Sequence, residues 1–275
     1  MTHRFVIFSD LDGCLLDHER YSFYDAIPAI DIIKKKGIPL VLCTSKTWAE
    51  IDVIRKRIGC FDPFISENGG AIFIPEGYFD FALKADRIAE DYFIIELGTP
   101  YKMLRECLNR IQQESFCSIE GFGDMSADKV ARITGMSLEE AERAKEREYD
   151  EAFIIQGSEE EKDKVLKKIR KSGLNYTIGT RYWHLIGNSD KGKAVEILKG
   201  FYKKISEGIR SIGIGDGIND LPMLKAVDIP IFLKSDKGNY PGELSIPDLI
   251  IGGEGPKGWR EAILQIIGSN PHPSL

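Results

Sequence analysis

At 275 residues the chain is long enough for one large domain or two smaller ones, and 43% apolar with 29% charged residues describes a globular protein with a substantial core. A net charge of −6 without a basic block argues against nucleic acid as a partner, and no apolar stretch reaches membrane-spanning length. The five cysteines are an odd number without C-x-x-C spacing, and Met1 to Phe8 lacks signal-peptide organisation. Both features fit reduced thiols in a cytoplasmic protein, not a disulfide frame or zinc site.

The first element predicted is a strand from Arg4 to Phe8. Its run of Val6, Ile7 and Phe8 has no alternation, as in a strand buried on both faces. It stops at Asp10-Leu11-Asp12-Gly13. A loop follows to Tyr24, then a helix with Asp25 as N-cap, Pro28 in its first turn and Gly37 as its stop. Ile38 to Cys43 is a second buried strand, ending at Thr44-Ser45-Lys46. Thr47-Trp48-Ala49-Glu50 is a capping box for a helix to about Ile58. Phe64 to Ser66 is a short strand that turns through Glu67-Asn68-Gly69-Gly70 into Ala71 to Ile74, a hairpin.

Near residue 82 the character changes. Strands at Tyr92 to Leu97, Phe116 to Ile119 and Ala152 to Gln156 are interleaved with helices at Pro100 to Glu114, Ser126 to Ile133, Ser137 to Glu148 and Glu159 to Lys171. A hairpin from Tyr176 to Gly187 turns near Gly179-Thr180. The α/β pattern then returns: a helix opens at Asp190-Lys191-Gly192, and the strand Ile209 to Ile214 enters Gly215-Asp216-Gly217-Ile218-Asn219-Asp220, with a helix from Leu221. Strands at Asp228 to Leu233 and Asp248 to Ile251, a helix from Gly258 to Ile267 and a frayed tail from Gly268 complete the chain. The expected fold class is α/β: a doubly wound, Rossmann-like parallel-sheet core of residues 1–82 and 188–275, with an inserted α+β domain of 83–187.

Chemistry-bearing residues gather at strand ends and helix starts. Asp10 and Asp12 would repel each other unless a cation or proton held them, which suggests a hard metal such as Mg²⁺. Thr44, Ser45, Lys191 and Asn219 add a hydroxyl pair, an ammonium and an amide, while Asp216 and Asp220 add two more acids. Acids for a divalent cation and donors for phosphate oxygens together read as phosphoryl chemistry.

In order, these four clusters resemble the four motifs of the haloacid dehalogenase-like phosphatase superfamily, and the insertion resembles the cap of its subclass IIB. Asp10-Leu11-Asp12-Gly13-Cys14-Leu15-Leu16-Asp17-His18, Leu42-Cys43-Thr44-Ser45-Lys46-Thr47, Glu67-Asn68-Gly69-Gly70-Ala71-Ile72-Phe73 and Arg181-Tyr182-Trp183-His184-Leu185 are similar to the mannosyl-3-phosphoglycerate phosphatases. Thr44-Ser45-Lys46 stands where other sugar-phosphate phosphatases of the subclass usually carry Thr-Gly-Arg. Cys14 departs from the more common threonine and lies beyond both acids, where a change of loop packing is expected.

The resemblance implies Asp10 as nucleophile and Asp12 as general acid, then base. It implies Mg²⁺ on Asp10, the Asp12 carbonyl and Asp216, with Asp220 close by. Thr44, Ser45, Lys191 and Asn219 would bind phosphate; Lys46, Arg181 and His184 would meet the charged leaving group, and Glu67 and Asn68 its sugar hydroxyls. His184 also fits a satisfied strand histidine, Arg181 a hairpin charge, and Tyr182 and Trp183 cap core. The implied partner is a phosphorylated sugar acid, with no nucleic acid or membrane and nothing implied for oligomeric state. Other readings are phosphatase action on glucosyl-3-phosphoglycerate, sucrose phosphate or hexose phosphates, a phosphosugar mutase, and a non-catalytic phosphosugar-binding module. The second acid, Asp12, argues against mere binding.

Overall fold

The computed structural model describes residues 5–18, 20–115, 117–179, 181–234 and 246–268. In chain order the first elements are β1 (Phe5–Ser9), α1 (Ile27–Lys35), β2 (Leu40–Cys43), α2 (Trp48–Ile58), β3 (Phe64–Ser66), β4 (Ala71–Pro75), β5 (Arg87–Ala89) and β6 (Tyr92–Glu96). Next come α3 (Tyr101–Gln113), β7 (Ser118–Gly121), α4 (Ala127–Thr134), α5 (Leu138–Ala144), β8 (Glu151–Gln156), α6 (Glu159–Lys171), β9 (Asn175–Ile178) and β10 (Trp183–Ile186). The last are α7 (Lys191–Ile205), β11 (Arg210–Gly215), α8 (Leu221–Ala226), β12 (Ile229–Lys234), β13 (Ile250–Glu254) and α9 (Gly255–Gly268). Among the described residues no helix is long and apolar enough to cross a membrane.

Three elements depart from expectation. Asp25 does not cap α1: it lies in a 3₁₀ turn, Tyr24–Ala26, that runs into the helix, and Ala26 takes the N-cap position without a side-chain bond. The helix opened by the Ser137 capping box ends at Ala144 instead of Glu148, because the next residues hold partners elsewhere. Strand β5 has too weak an apolar pattern to be read, and it forms by pairing with β6. Arg4, Phe116, Thr180 and the tail from Ser269 lie outside the described residues.

Contacts divide the chain into two compact units. The first draws on Met1–Cys43, Val195–Asp216 and Asp220–Leu275. Its strands run β13-β12-β11-β1-β2, all parallel. Every residue of β1 and β2 is buried, and since side chains alternate across a strand, both sheet faces are covered. The chain steps from β1 to β2 on one side, and from β11 through β12 to β13 on the other. The carboxyl ends of β1 and β11 therefore flank the point where the winding reverses, where α/β sheets bind ligands. Ser9 pairs with Ile214, so those two ends are level. Trp259 of α9 is fully buried and donates its indole N–H to Ser9 Oγ at 2.9 Å.

The second unit comprises Thr44–Ala194 and Gly217–Asn219. It holds an antiparallel run, β3-β4-β6-β5, and a four-stranded antiparallel sheet, β7-β8-β10-β9. The four-stranded sheet is covered on both faces by period-2 sorting. Phe153, Ile155, Trp183 and Leu185 pack with Leu104 and Leu108 of α3 and Val165 and Ile169 of α6. Ala152, Ile154 and Tyr182 pack with Val130 of α4 and Ala141 of α5. Helices α2, α5 and α6 all open on complete capping boxes, as read from sequence for the first two.

The turn between β3 and β4 is unusual. Glu67, Asn68 and Gly69 are successive left-handed residues with φ of 47°, 56° and 88°. A Cβ at Gly69 would overlap the Asp190 carbonyl, so only glycine allows this approach to the start of α7. Glu67 is buried, and its carboxylate accepts the backbone N–H groups of Glu148 (3.0 Å) and Tyr149 (2.8 Å).

Burial pushes the Glu67 pKa up to about 8, against the opposing pull of Arg147 and the two backbone donors. The folded chain thus keeps this proton well above the pH at which an unfolded glutamate releases it. The stability this provides is complete below about pH 4.5 and is lost as pH rises toward 8. Glu67→Gln should remove a slope of up to about 1.4 kcal/mol per pH unit across that window. Urea unfolding of both proteins at pH 5 to 8 checks this. Parallel stability curves would show that Glu67 does not titrate there.

Candidate active site

In the first unit, β1 delivers Asp10 to the switch point. Its N–H donates to the Ile214 carbonyl of β11 at 2.9 Å, and its own carbonyl accepts the Ser9 hydroxyl at 2.7 Å. Because Ser9 is held by Trp259, a buried indole fixes the strand end that carries the acid. The chain then closes a tight loop in which Leu16 N–H donates to Leu11 and Gly13 N–H donates to Leu16. Gly13 has φ 79°, and a Cβ there would collide with the carboxylate of Asp216 and the ring of His18. Asp12 lies within this loop and bridges to Leu16.

Asp216 follows β11 directly. Its N–H donates to Asp220 Oδ2 at 3.0 Å, so Asp220 braces the strand end from behind. Ligand atoms of Asp10, Cys14 and Asp216, all buried, lie within 4.8 Å of one another. The Cys14 thiol donates to Asp216 Oδ1 at 3.6 Å, and His18 Nε2 lies 3.4 Å from Asp216 Oδ2. Two buried carboxylates this close fit a hard divalent cation, which takes oxygen ligands.

In the second unit, Thr44 is the residue after β2. Its N–H donates to Ile65, its carbonyl accepts Asn68 N–H at 3.0 Å, and its hydroxyl accepts Lys46 N–H at 3.3 Å. Lys46 is buried beside Glu50 at 3.5 Å, inside the α2 capping box, and Thr47 Oγ1 donates to the Arg143 carbonyl at 2.9 Å. Lys191 opens α7 and is fully buried. Asn219 Nδ2 donates to Asn68 Oδ1 at 3.2 Å. Thr44, Asn68 and Asn219 are thus joined by direct bonds.

Asn68 leads on to residues that sequence reasoning missed. Its Nδ2 donates to Asp150 Oδ2 at 2.7 Å. Asp150 is fully buried and also accepts His184 Nδ1–H (2.8 Å) and Arg147 Nη1–H (3.0 Å). Burial alone would raise the Asp150 pKa, but His184, Arg147 and the Asn68 amide hold it below the usual carboxylate range. Strand parity explains the meeting. His184 pairs with Ala152, whose side chain faces α4 and α5, and Asp150 precedes Ala152 by two residues on the same face. Arg147 Nη1 also reaches the Ser45 carbonyl at 3.4 Å.

Arg181 stands apart: it is exposed, and its Nη1 donates to the Thr134 carbonyl at the end of α4. Tyr182 and Trp183 pack in the two apolar clusters on opposite faces of the four-stranded sheet.

A family model described as haloacid dehalogenase-like hydrolase matches residues 7–237. A relative from Methanococcoides burtonii, named glucosyl-3-phosphoglycerate/mannosyl-3-phosphoglycerate phosphatase, is 46% identical over 96% of this chain and 98% of its own. A mannosyl-3-phosphoglycerate phosphatase from Pyrococcus horikoshii is 39% identical over 81% of this chain and 88% of its own. Among solved structures, a subclass IIB sugar phosphatase superposes with a TM-score of 0.64 at 17% identity, covering 96% of this chain and 99% of that one. Matched in sequence over most of its length and in fold over nearly all of it, the chain belongs to the haloacid dehalogenase-like hydrolases.

Proposed function

We propose that the chain is a Mg²⁺-dependent phosphatase that hydrolyses mannosyl-3-phosphoglycerate to mannosylglycerate and phosphate. The observation that carries the reading is the pair of buried carboxylates, Asp10 and Asp216, at the level ends of two paired parallel strands. The names of two curated relatives support the substrate class. The dual name of the M. burtonii relative supports glucosyl-3-phosphoglycerate as a second substrate. In this reading residues 1–82 and 188–275 are the catalytic core, and 83–187 are the cap that selects the leaving group.

The Asp10 carboxylate attacks phosphorus in line and becomes an aspartyl-phosphate, while Asp12 gives its proton to the departing glycerate oxygen. Asp12 then takes a proton from the water that cleaves the acyl-phosphate and releases phosphate, restoring Asp10. Asp10, the Asp12 carbonyl and Asp216 would hold the cation, and Asp220 fixes Asp216 through its backbone. When bound, the cation supplies the positive charge that lets a carboxylate approach a phosphate dianion. Thr44, Ser45 and Lys191 hold the non-bridging oxygens, and Asn219 orients the same group from its bond to Asn68.

Phosphate release should require Mg²⁺, stop with chelator, and be fastest on mannosyl- or glucosyl-3-phosphoglycerate, ahead of sucrose phosphate and hexose phosphates. Equal rates on all hexose phosphates would reject the substrate, and silence on every compound would reject the phosphatase. Asp10→Asn should lower kcat by roughly 10³-fold or more, and full turnover in that variant would sink the covalent route.

Mg²⁺ should also stabilise the wild type by mass action, by about 2.7 kcal/mol at a hundredfold excess over Kd, and so raise its unfolding midpoint. In Asp216→Asn that shift should largely vanish. A full shift in the variant would remove Asp216 from the cation site.

A further inference from the structure

Resting on the phosphatase reading, we infer that Arg147 and His184, both anchored on Asp150, form the site that receives the carboxylate of the substrate's glycerate unit. A phosphoglycerate ester carries its carboxylate close to its phosphate, on the same three-carbon unit. The groups that recognise the acid therefore belong beside the loop that holds the phosphate. Three basic side chains were legible candidates, and the structure ranks them. Arg181 is exposed and spent on the end of α4, and Lys46 is drawn to Glu50 within the α2 cap. His184 is buried in the sheet face that carries Asp150.

Arg147, which no sequence pattern singled out, lies one residue from Thr44 by its contact with the Ser45 carbonyl. Its side chain is only 5% exposed. Nε donates to Ala144 and Nη1 to Asp150 and Ser45, while Nη2 makes no hydrogen bond among the described residues. His184 likewise spends Nδ1 on Asp150 and leaves Nε2 without a hydrogen bond among them. Arg147 thus fixes its orientation with Nε and Nη1 and keeps Nη2 in reserve, and His184 fixes its ring with Nδ1 and keeps Nε2, which donates to a carboxylate when the imidazole carries both protons.

Asp150 is the positioning residue of this pair. By accepting from His184 Nδ1 it turns Nε2 outward, and by accepting from Arg147 Nη1 it fixes the plane of the guanidinium. The same carboxylate accepts from Asn68, whose oxygen takes Asn219. One buried acid thus ties the proposed carboxylate donors to the residues proposed to hold phosphate. Gly179 keeps space open on the ligand side of the imidazole: a Cβ there would sit 3.4 Å from His184 Nε2. An ammonium could offer charge at such a place, but a guanidinium with one edge anchored matches a flat carboxylate better.

The test compares binding of mannosylglycerate, the proposed product, with binding of its uncharged carboxamide, by calorimetry on the full-length protein. The wild type should prefer the acid by about tenfold or more. His184→Asn places an amide N–H where Nδ1 stood, keeping the bond to Asp150, but has nothing at Nε2. Gly179→Ala leaves both side chains intact and fills the space before Nε2. Either variant should bring the preference for the acid to within about twofold of none. An unchanged preference in both variants, or no preference in the wild type, overturns the inference. If the wild type prefers the acid yet releases no phosphate from the ester, the carboxylate site stands and the phosphatase reading falls.

Discussion

Everything in the first unit serves the confinement of two like charges. Asp10 and Asp216 sit buried within 4.8 Å of each other, an arrangement that costs free energy until a cation or proton neutralises it. The fold holds them there by means that leave little freedom to relax. Parallel pairing of β1 with β11 makes the strand ends level, and Trp259 braces the Asp10 end through Ser9. Asp220 takes the Asp216 N–H, and Gly13 lets the loop return where any side chain would strike Asp216. Such rigidity is what a cation site needs, because carboxylates able to swing apart would relieve their repulsion and lose affinity.

The second unit meets a related problem and answers it internally. Asp150 has no access to solvent at all, and an isolated buried carboxylate would protonate or disrupt its surroundings. Arg147, His184 and Asn68 each donate to it, which keeps it ionised and makes removal of any one donor costly. Glu67, one residue before Asn68, remains acid-rich in character: its partners are mainly backbone N–H groups, and its pKa rises to about 8. Two neighbouring buried acids therefore differ in protonation because Arg147 donates directly to one, while the other has backbone donors and only the longer-range pull of Arg147.

The parts of this design that depend on local sequence were open to reading. A strand-length apolar run followed by Asp-x-Asp-Gly fixes both the end of β1 and the chemistry placed there, and the capping boxes at Thr47 and Ser137 appear as expected. What escaped depends on pairing across the sheet. Arg147 and Asp150 look like the polar end of a helix until α5 is seen to stop at Ala144. His184 reaches Asp150 because of antiparallel register, which no window along one strand contains. Asp25 is a good capping residue by type, but the 3₁₀ turn displaced it. Local signals specify where acids end strands; they do not specify which buried acid a distant histidine will face.

This asymmetry bears on how such a chain can change substrate. The residues proposed to break the phosphate ester stand at strand ends, where pairing and glycine geometry fix them tightly. Of the two donors proposed for the leaving group, His184 lies on β10, while Arg147 and the Asp150 that positions both lie on a four-residue segment between a short helix and a strand. That segment is held by side chains and by the Glu67 carboxylate, not by regular backbone pairing. Substitutions there that spare the donors to Asp150 can redirect recognition without touching the sheet, while substitutions at the strand ends disturb the sheet and the acid pair together. Choice of leaving group is therefore the property most easily altered among chains that share this core, and the segment before β8 is where a difference in preference between glycerate esters and sugar phosphates without a carboxylate should first be sought.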